Sequence, residues 1–289
     1  MTVSELVDVD LFSTRKVTAA IGAEITGLDL TRTQSSKIQA DLVEALAEHQ
    51  VLFFRNQNLN EDQQLSVARI FGRPVVTVIA RKMGVENYLS VIEDNDKHRP
   101  DRDSWHSDVT FAENPPSIGI LKSVVVPSYG GDTIWASLYG AYDLLSEPMK
   151  ELVAKLELRH WTGTDMLDLI RIRRGEGMAT KVREDFPGAV HPLVIRNPIG
   201  GRKALYLSER FTDCVVGMSR KESEHILSYL HRLLDTPEIQ VRWTWKPNDI
   251  AVWDERTTNH RGVADHFPQH RVIVRAEADR DPPGAWAAN

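Results

Sequence analysis

The sequence predicts an α+β protein, a β-sandwich or jelly roll with helices packed around it. Three observations predict this. From about residue 86 the chain is mostly short strand-like runs separated by turns. Only a few helical patterns interrupt them. Strands and helices do not alternate regularly, as a parallel βαβ sheet requires. The 289 residues are enough for one large core or two small ones. With no linker, repeat or low-complexity tract, residues 1–289 are read as a single domain.

Taken in order, residues 19–25 (AAIGAEI) read as a short strand with a glycine bend. Ser35 to His49 has helical spacing, with Ile38, Leu42 and Leu46 beside Ala45 on one stripe. Residues 51–54 (VLFF) read as a buried strand. Asn60 with Gln63 three residues on marks the capped start of a second helix, which stops at Gly72-Arg73-Pro74. Strand-like runs follow at 88–92, 105–110, 118–126 and 133–136, then one helix over about 138–156. The arginine- and glycine-rich stretch 162–190 reads as irregular, a mobile loop over the site. Strands are expected at 194–196, 204–207, 241–245, 250–253 and 271–276. Between them lies a helix over 219–234, with Ser219 and Glu222 as its capping box.

Composition excludes several classes. Apolar residues make up 42% and charged residues 26%, ordinary for a globular protein. A net charge of −6 offers no basic field for nucleic acid or an anionic membrane. The lone cysteine, Cys214, rules out an intrachain disulfide and reads as a packed core residue. The first residues lack a basic segment followed by an apolar one, and no run of 18 apolar residues occurs. A cytoplasmic protein with no membrane partner is therefore expected.

The chemistry concentrates in residues 104–111 (SWHSDVTF). On a strand, His106 and Asp108 share a face, with Ser107 and Val109 on the other. A buried carboxylate is costly unless paired, hydrogen-bonded or bound to a cation. A divalent cation meets that need, and a third ligand from a distant strand completes the two-histidine, one-carboxylate set that suits nonhaem Fe(II). A plain imidazole–carboxylate hydrogen bond in a core is the alternative. His260, after a Thr-Thr-Asn run, is the candidate third ligand. Arg271 and Arg275, four apart on one strand, share a face with Ile273 between them. A solvated row of arginines is the bland reading of that pair.

Several segments together resemble the TauD/TfdA family, the taurine dioxygenase group of Fe(II)/2-oxoglutarate-dependent dioxygenases. They are residues 106–111 (HSDVTF), 127–135 (PSYGGDTIW), 241–243 (VRW), 247–251 (PNDIA), Trp253-Asp254, His260, and 269–275. They agree in order and spacing from about residue 15 to residue 280. The resemblance implies a double-stranded β-helix, a jelly roll whose two sheets enclose the site. It implies that His106, Asp108 and His260 hold Fe(II), and that Thr133 and Arg271 hold the distal carboxylate of the co-substrate 2-oxoglutarate. A planar guanidinium suits a carboxylate through paired donors. Dioxygen is the second co-substrate; 2-oxoglutarate becomes succinate and carbon dioxide as an aliphatic C–H bond is hydroxylated. Homo-oligomers, dimers or tetramers, are also implied.

Arg275 matches the family's arginine for an anionic substrate, and Phe211 its aromatic wall. The family's taurine-binding histidine is absent from residues 71–77 (FGRPVVT); Val75 stands at the equivalent place. Arg102 replaces an asparagine four residues before His106. Both departures point away from taurine toward another small organic anion, an alkylsulfonate or alkyl sulfate, with phenoxyalkanoates as the alternative. Arg102 or Arg81 could add positive charge, although exposed loop arginines are the commoner case. Trp135 and Trp253 are read as core. Two rivals stand outside this class. A zinc hydrolase leaves Thr133 and Arg271 unexplained, and a non-catalytic binding protein leaves the intact triad unexplained. Arg271→Ala is expected to act mainly on 2-oxoglutarate, and Arg275→Ala mainly on the primary substrate.

Overall fold

The structure, a computed structural model, describes residues 12–82, 84, 86–100 and 104–280. The chain runs β1 (Ser13–Lys16), β2 (Ala23–Thr26), α1 (Ser36–His49), β3 (Val51–Phe54), α2 (Glu61–Phe71), β4 (Arg73–Val75) and α3 (Val78–Lys82). Next come β5 (Leu89–Asp94), β6 (Ile118–Val125), β7 (Thr133–Ser137), α4 (Leu138–Asp143) and α5 (Glu147–Val153). The middle adds β8 (Glu157–His160), α6 (Thr164–Arg174), α7 (Glu176–Asp185), β9 (Ala189–Pro192), β10 (Val194–Arg196), β11 (Lys203–Leu205) and β12 (Thr212–Val215). The last part is α8 (Arg220–Leu233), β13 (Gln240–Trp243), β14 (Ile250–Asp254), β15 (Thr258–Gly262) and β16 (Arg271–Asp279).

Mixed sheets and helices result. The large sheet has the order β1-β2-β3-β14-β6-β16-β4, with β5 also paired to β16. A second sheet has the order β13-β7-β15, and smaller sheets join β12-β8-β9 and β10-β11. The apolar runs 51–54 and 250–253 are explained by burial on both faces. Leu52, Phe54, Ile250 and Val252 pack in the same cluster as Leu42 of α1 and Phe71 of α2. Val51, Phe53, Ala251 and Trp253 point the other way, into a cluster with Trp135 of β7 and Trp243 of β13. There Phe53 stacks on Trp243 at 4.0 Å between ring centroids and meets Trp135 edge-on. The two sheets therefore pack through aromatic side chains, one layer of which reaches the site.

Gly119 on β6 faces Trp253 across the β6–β14 pairing. A methyl group added there would overlap the indole ring. Gly119→Ala is expected to cost about 1–3 kcal/mol, the usual cost of overpacking. It should show as a lower urea midpoint; an unchanged midpoint would contradict the close approach.

Helix starts follow their caps. Ser35 caps α1, and reciprocal capping boxes form at Asn60/Gln63 and Ser219/Glu222. Elsewhere the structure corrects the expectations. The single helix expected over 138–156 is two, α4 and α5, with Pro148 in the first turn of the second. The stretch expected to be irregular, 162–190, forms α6 and α7, divided at Gly175 in the left-handed region (φ 86°). That glycine splits one periodic pattern into two short ones, and few of their residues are buried. Cys214 sits half-buried on β12 rather than in the core. Among the described residues, no helix is long and apolar enough to cross a membrane.

A buried histidine, His160, and a half-buried one, His231, make stability acid-sensitive. Burial, followed by the nearby charges of His191 and His231, pushes His160 down to about 3, and burial pushes His231 down to about 4. Unfolded, each titrates near 6.5. Above pH 6.5 neither state binds the proton and nothing is lost. Below it the unfolded chain takes up protons that the folded chain refuses. Stability then falls by up to about 1.4 kcal/mol per pH unit for each histidine, until the folded pKa is reached. The urea midpoint is expected to drop steadily from pH 7 to pH 5; a flat profile would contradict buried neutral imidazoles.

Candidate metal centre

The site begins with two backbone hydrogen bonds. His260 lies on β15, opposite Trp135 of β7. Its backbone exchanges both hydrogen bonds with His106, N–H to O at 2.7 and 3.0 Å. This one bridge sets the two imidazoles side by side, ring centroids 4.3 Å apart. The expected strand over 105–110 does not form: after the bridge the chain turns at Asp108–Thr110. Val109 holds φ 60°, rare for a β-branched residue. The turn, not strand alternation, brings Asp108 back toward His106. Ser107 Oγ anchors it by donating to Thr258 O at 2.9 Å. His191 Nε2 faces the carbonyls of Thr110 and Ala112 at 2.8 and 3.1 Å, so it carries the proton and donates.

One donor atom from each of His106, Asp108 and His260 lies within 4.8 Å of the others. The remaining polar atoms of His106 and Asp108 are already used. His106 Nδ1 donates to Ser104 O at 2.8 Å, leaving Nε2 with its lone pair, 3.8 Å from Asp108 Oδ1. Asp108 Oδ2 accepts from Arg275 Nη1 at 2.8 Å, leaving Oδ1. His260 turns Nδ1 toward Glu255, with Oε2 4.0 Å away. Two nitrogens and one carboxylate oxygen therefore converge. This donor set fits Fe(II) with open positions.

Electrostatics keeps these donors ready. Burial, and then the charge of His106, pushes His260 down to about 3. Burial also lowers His106, against the pull of Asp108. For Asp108 burial acts upward, but Arg275, His260 and His106 outweigh it and hold the carboxyl well below its usual range. At neutral pH both imidazoles are neutral and the carboxylate is charged, the forms that bind a cation. Behind them, burial raises Glu255 well above normal and Glu277 to about 7.

A cavity of about 510 Å³ opens on the triad. Thr133, Arg271 and Arg275 line it. Arg271 is buried, with Nη1 3.5 Å from Asp94 Oδ2. Gly131 (φ 71°) lets its side chain pass, since a Cβ there would stand 3.1 Å from Arg271 Cδ. Thr133 Oγ1 accepts from Trp245 Nε1 at 3.0 Å, which leaves the hydroxyl proton to be donated. An apolar cluster of Val109, Phe111 and Phe211, joined by Ile79 and Met166, also lines the cavity. Phe211 stands edge-on to His106 at 6.3 Å and to Phe111 at 5.2 Å.

The remaining expected residues are placed unevenly. Val75 lies on β4 and does not line the cavity, whereas Thr77 does. Arg81 is exposed, donates to Val76 O and does not line the cavity either. Arg102 lies outside the described residues. Trp253 is both core and cavity wall, 5.0 Å from the His260 ring. Arg275 is engaged twice by the protein itself: besides Asp108, its Nη2 lies 3.3 Å from Glu277 Oε1. Not foreseen from the sequence are Arg210 and Met166, which line the cavity, Arg210 against the Phe211 ring, and Glu255 and Glu277 behind the triad. Glu255 follows the apolar run 250–253 by two residues, inside a polar stretch, and the sequence carries no signal of its burial.

Comparison with known proteins bears on this geometry. The profile of the "Taurine catabolism dioxygenase TauD, TfdA family" matches residues 13–276. The alkylsulfatase of Acinetobacter baylyi is 34% identical over 271 residues, covering 90% of this chain and 83% of that protein. The alpha-ketoglutarate-dependent sulfate ester dioxygenase of Pseudomonas putida is 35% identical over 266 residues, covering 90% and 86%. The crystal structure of a taurine dioxygenase from Burkholderia xenovorans superposes with a TM-score of 0.77 at 32% identity, covering 94% and 92%.

Proposed function

The chain belongs to the TauD/TfdA family, and from that premise we propose that its primary substrate is an alkyl sulfate ester, oxidised at the carbon that carries the ester oxygen. The enzyme is a nonhaem Fe(II)/2-oxoglutarate-dependent dioxygenase, an oxidoreductase that takes 2-oxoglutarate and dioxygen as co-substrates. The observation that carries the substrate reading is the mixed lining of the cavity. Cationic and hydroxyl groups line it beside the triad, and so does an apolar cluster around Phe211, against which Arg210 also lies. An anionic head with an alkyl chain matches both kinds of lining.

In this reading His106 Nε2, Asp108 Oδ1 and a His260 ring nitrogen hold iron. Iron, 2-oxoglutarate and dioxygen together supply an oxidant able to take a hydrogen atom from an unactivated C–H bond, with succinate and carbon dioxide as co-products. Every other task falls to the chain. Arg271 presents paired N–H donors to the distal carboxylate of 2-oxoglutarate, and Thr133 adds its hydroxyl proton. The cavity-facing edge of Arg275 attracts the sulfate. Phe211, Phe111, Met166 and Ile79 bury the alkyl chain and keep water from the reacting carbon. Val75, read as a substrate residue, does not line the cavity and keeps only a supporting place; Arg102, read as another, lies outside the described residues. Hydroxylation beside the ester oxygen leaves an unstable adduct that breaks to an aldehyde and sulfate. An alkylsulfonate treated in the same way releases sulfite.

The same reading takes the two main sheets as the halves of a double-stranded β-helix in one domain, with α6 and α7 covering its mouth. It includes a cytoplasmic homo-oligomer, a dimer or tetramer, which sedimentation velocity tests. The substrate test uses Fe(II)-reconstituted enzyme with alkyl sulfates of increasing length, alkylsulfonates and phenoxyalkanoates. Sulfate and succinate are expected in equal amounts, only with dioxygen. Each added methylene should raise kcat/KM up to about fourfold until the wall is covered, since a buried CH₂ contributes about 0.8 kcal/mol. Sulfite or phenol release with no sulfate would sink the ester reading; anaerobic sulfate release would point to zinc hydrolysis.

A further inference from the structure

We propose that Glu255 is a positioning residue of the metal centre, a single buried carboxylate that steadies two of the three ligand residues. Its Oε2 accepts the backbone N–H of Asp108 at 2.9 Å. The same oxygen is the acid group facing His260 Nδ1, at 4.0 Å. That nitrogen is buried and has no hydrogen-bond partner. A metal-bound imidazole draws electron density from its ring and makes the opposite N–H a stronger donor, so an acceptor oxygen on that side orients the ring and strengthens the ligand. Oε2 accepts in either protonation state of the carboxyl group, so the role does not depend on its charge alone.

Glu255 is well fixed for this task. It is 1% exposed, and its own N–H donates to Ser117 O at 2.9 Å, at the foot of β6. Its side chain therefore reaches from the rigid large sheet to the one turn that carries Asp108. That turn holds Val109 at φ 60°, a conformation that persists only when its surroundings over-determine it. Glu255 restrains the turn at Asp108, and His191 restrains it two residues on, at Thr110.

The inference rests on His106, Asp108 and His260 being the ligands, and the experiment separates the two claims. Metal-free full-length protein is titrated with Co(II), read by its visible absorption, and its melting temperature is measured without metal. Wild-type protein that fails to bind Co(II) removes the ligand reading and this inference with it. Glu255→Met keeps the length but removes the oxygen that faces both ligand residues, whereas Glu255→Gln keeps one acceptor there. Glu255→Met is expected to weaken Co(II) binding by about tenfold and to shift the absorption bands, and Glu255→Gln to restore most of both. Wild-type affinity and spectrum in folded Glu255→Met overturn the proposal, whatever the melting temperature does. If that variant does not fold, Glu255→Asp, which draws the oxygen back by one methylene, is judged by the same readings.

Discussion

His106→Ala, Asp108→Ala and His260→Ala are each expected to abolish metal binding and succinate formation, while costing the fold very different amounts. Three donors are the least that hold the ion with its open positions facing the cavity, and the loss of any one leaves two. The fold responds to something else. His106→Ala gives up the hydrogen bond to Ser104 but keeps the backbone bridge to His260, a loss of about 1 kcal/mol. Asp108→Ala strips a partly buried arginine of its 2.8 Å partner. Breaking one side of a buried ion pair costs roughly 3–5 kcal/mol, and the partial exposure of Arg275 and the nearby Glu277 keep this case at the low end. In a chain of this size each kcal/mol moves the melting temperature by about 2 °C. Calorimetry on metal-free variants should therefore find Asp108→Ala about 6 °C lower, and His106→Ala about 2 °C lower. Succinate formation by any of the three would remove the ligand assignment. Equal melting losses would remove the buried pair.

How much of this was legible in the sequence depended on which physical signal each part carries. Burial on both faces leaves an apolar run, so β3 and β14 could be read directly. Capping leaves a spacing, so the starts of α1, α2 and α8 fell within a residue of their predicted places. Residue type and proximity single out His106 and Asp108, but a turn, not a shared strand face, brings them together. A positive φ at a valine leaves no mark in the sequence, so the turn at Asp108–Thr110 read as more strand. The pair α6–α7 was hidden because helices that bury few residues carry weak periodicity. Glu255 and Glu277 were hidden for the opposite reason. Their burial comes from distant elements closing around Arg275, and acidic residues in a polar stretch look solvated until that closure is seen.

The same closure changes what the two arginines should do when altered. Arg271→Lys keeps a positive charge beside Asp94 but loses the planar fork. Its expected effect is a rise of roughly 10- to 100-fold in the KM for 2-oxoglutarate, the equivalent of one charged hydrogen bond. Metal affinity, and the KM for the primary substrate at saturating 2-oxoglutarate, should change little. Arg275 first read as the matching case for the primary substrate. Yet its guanidinium spans Asp108 and Glu277, and the opposing charges of Asp108, Glu277 and Glu255 outweigh the burial that disfavours its own. Arg275→Lys offers one compact ammonium where two separated donors are needed. It should therefore weaken metal binding and lower kcat, as well as raise the KM for the anionic substrate. Titration of metal into both variants beside steady-state kinetics separates the cases. If Arg275→Lys binds metal as wild type does and changes only the substrate KM, Arg275 belongs to the substrate alone and its bond to Asp108 carries no weight in holding that ligand. If instead Arg271→Lys loses metal, the cavity has no division between a co-substrate side and a metal side, and the placing of 2-oxoglutarate against Thr133 and Arg271 fails.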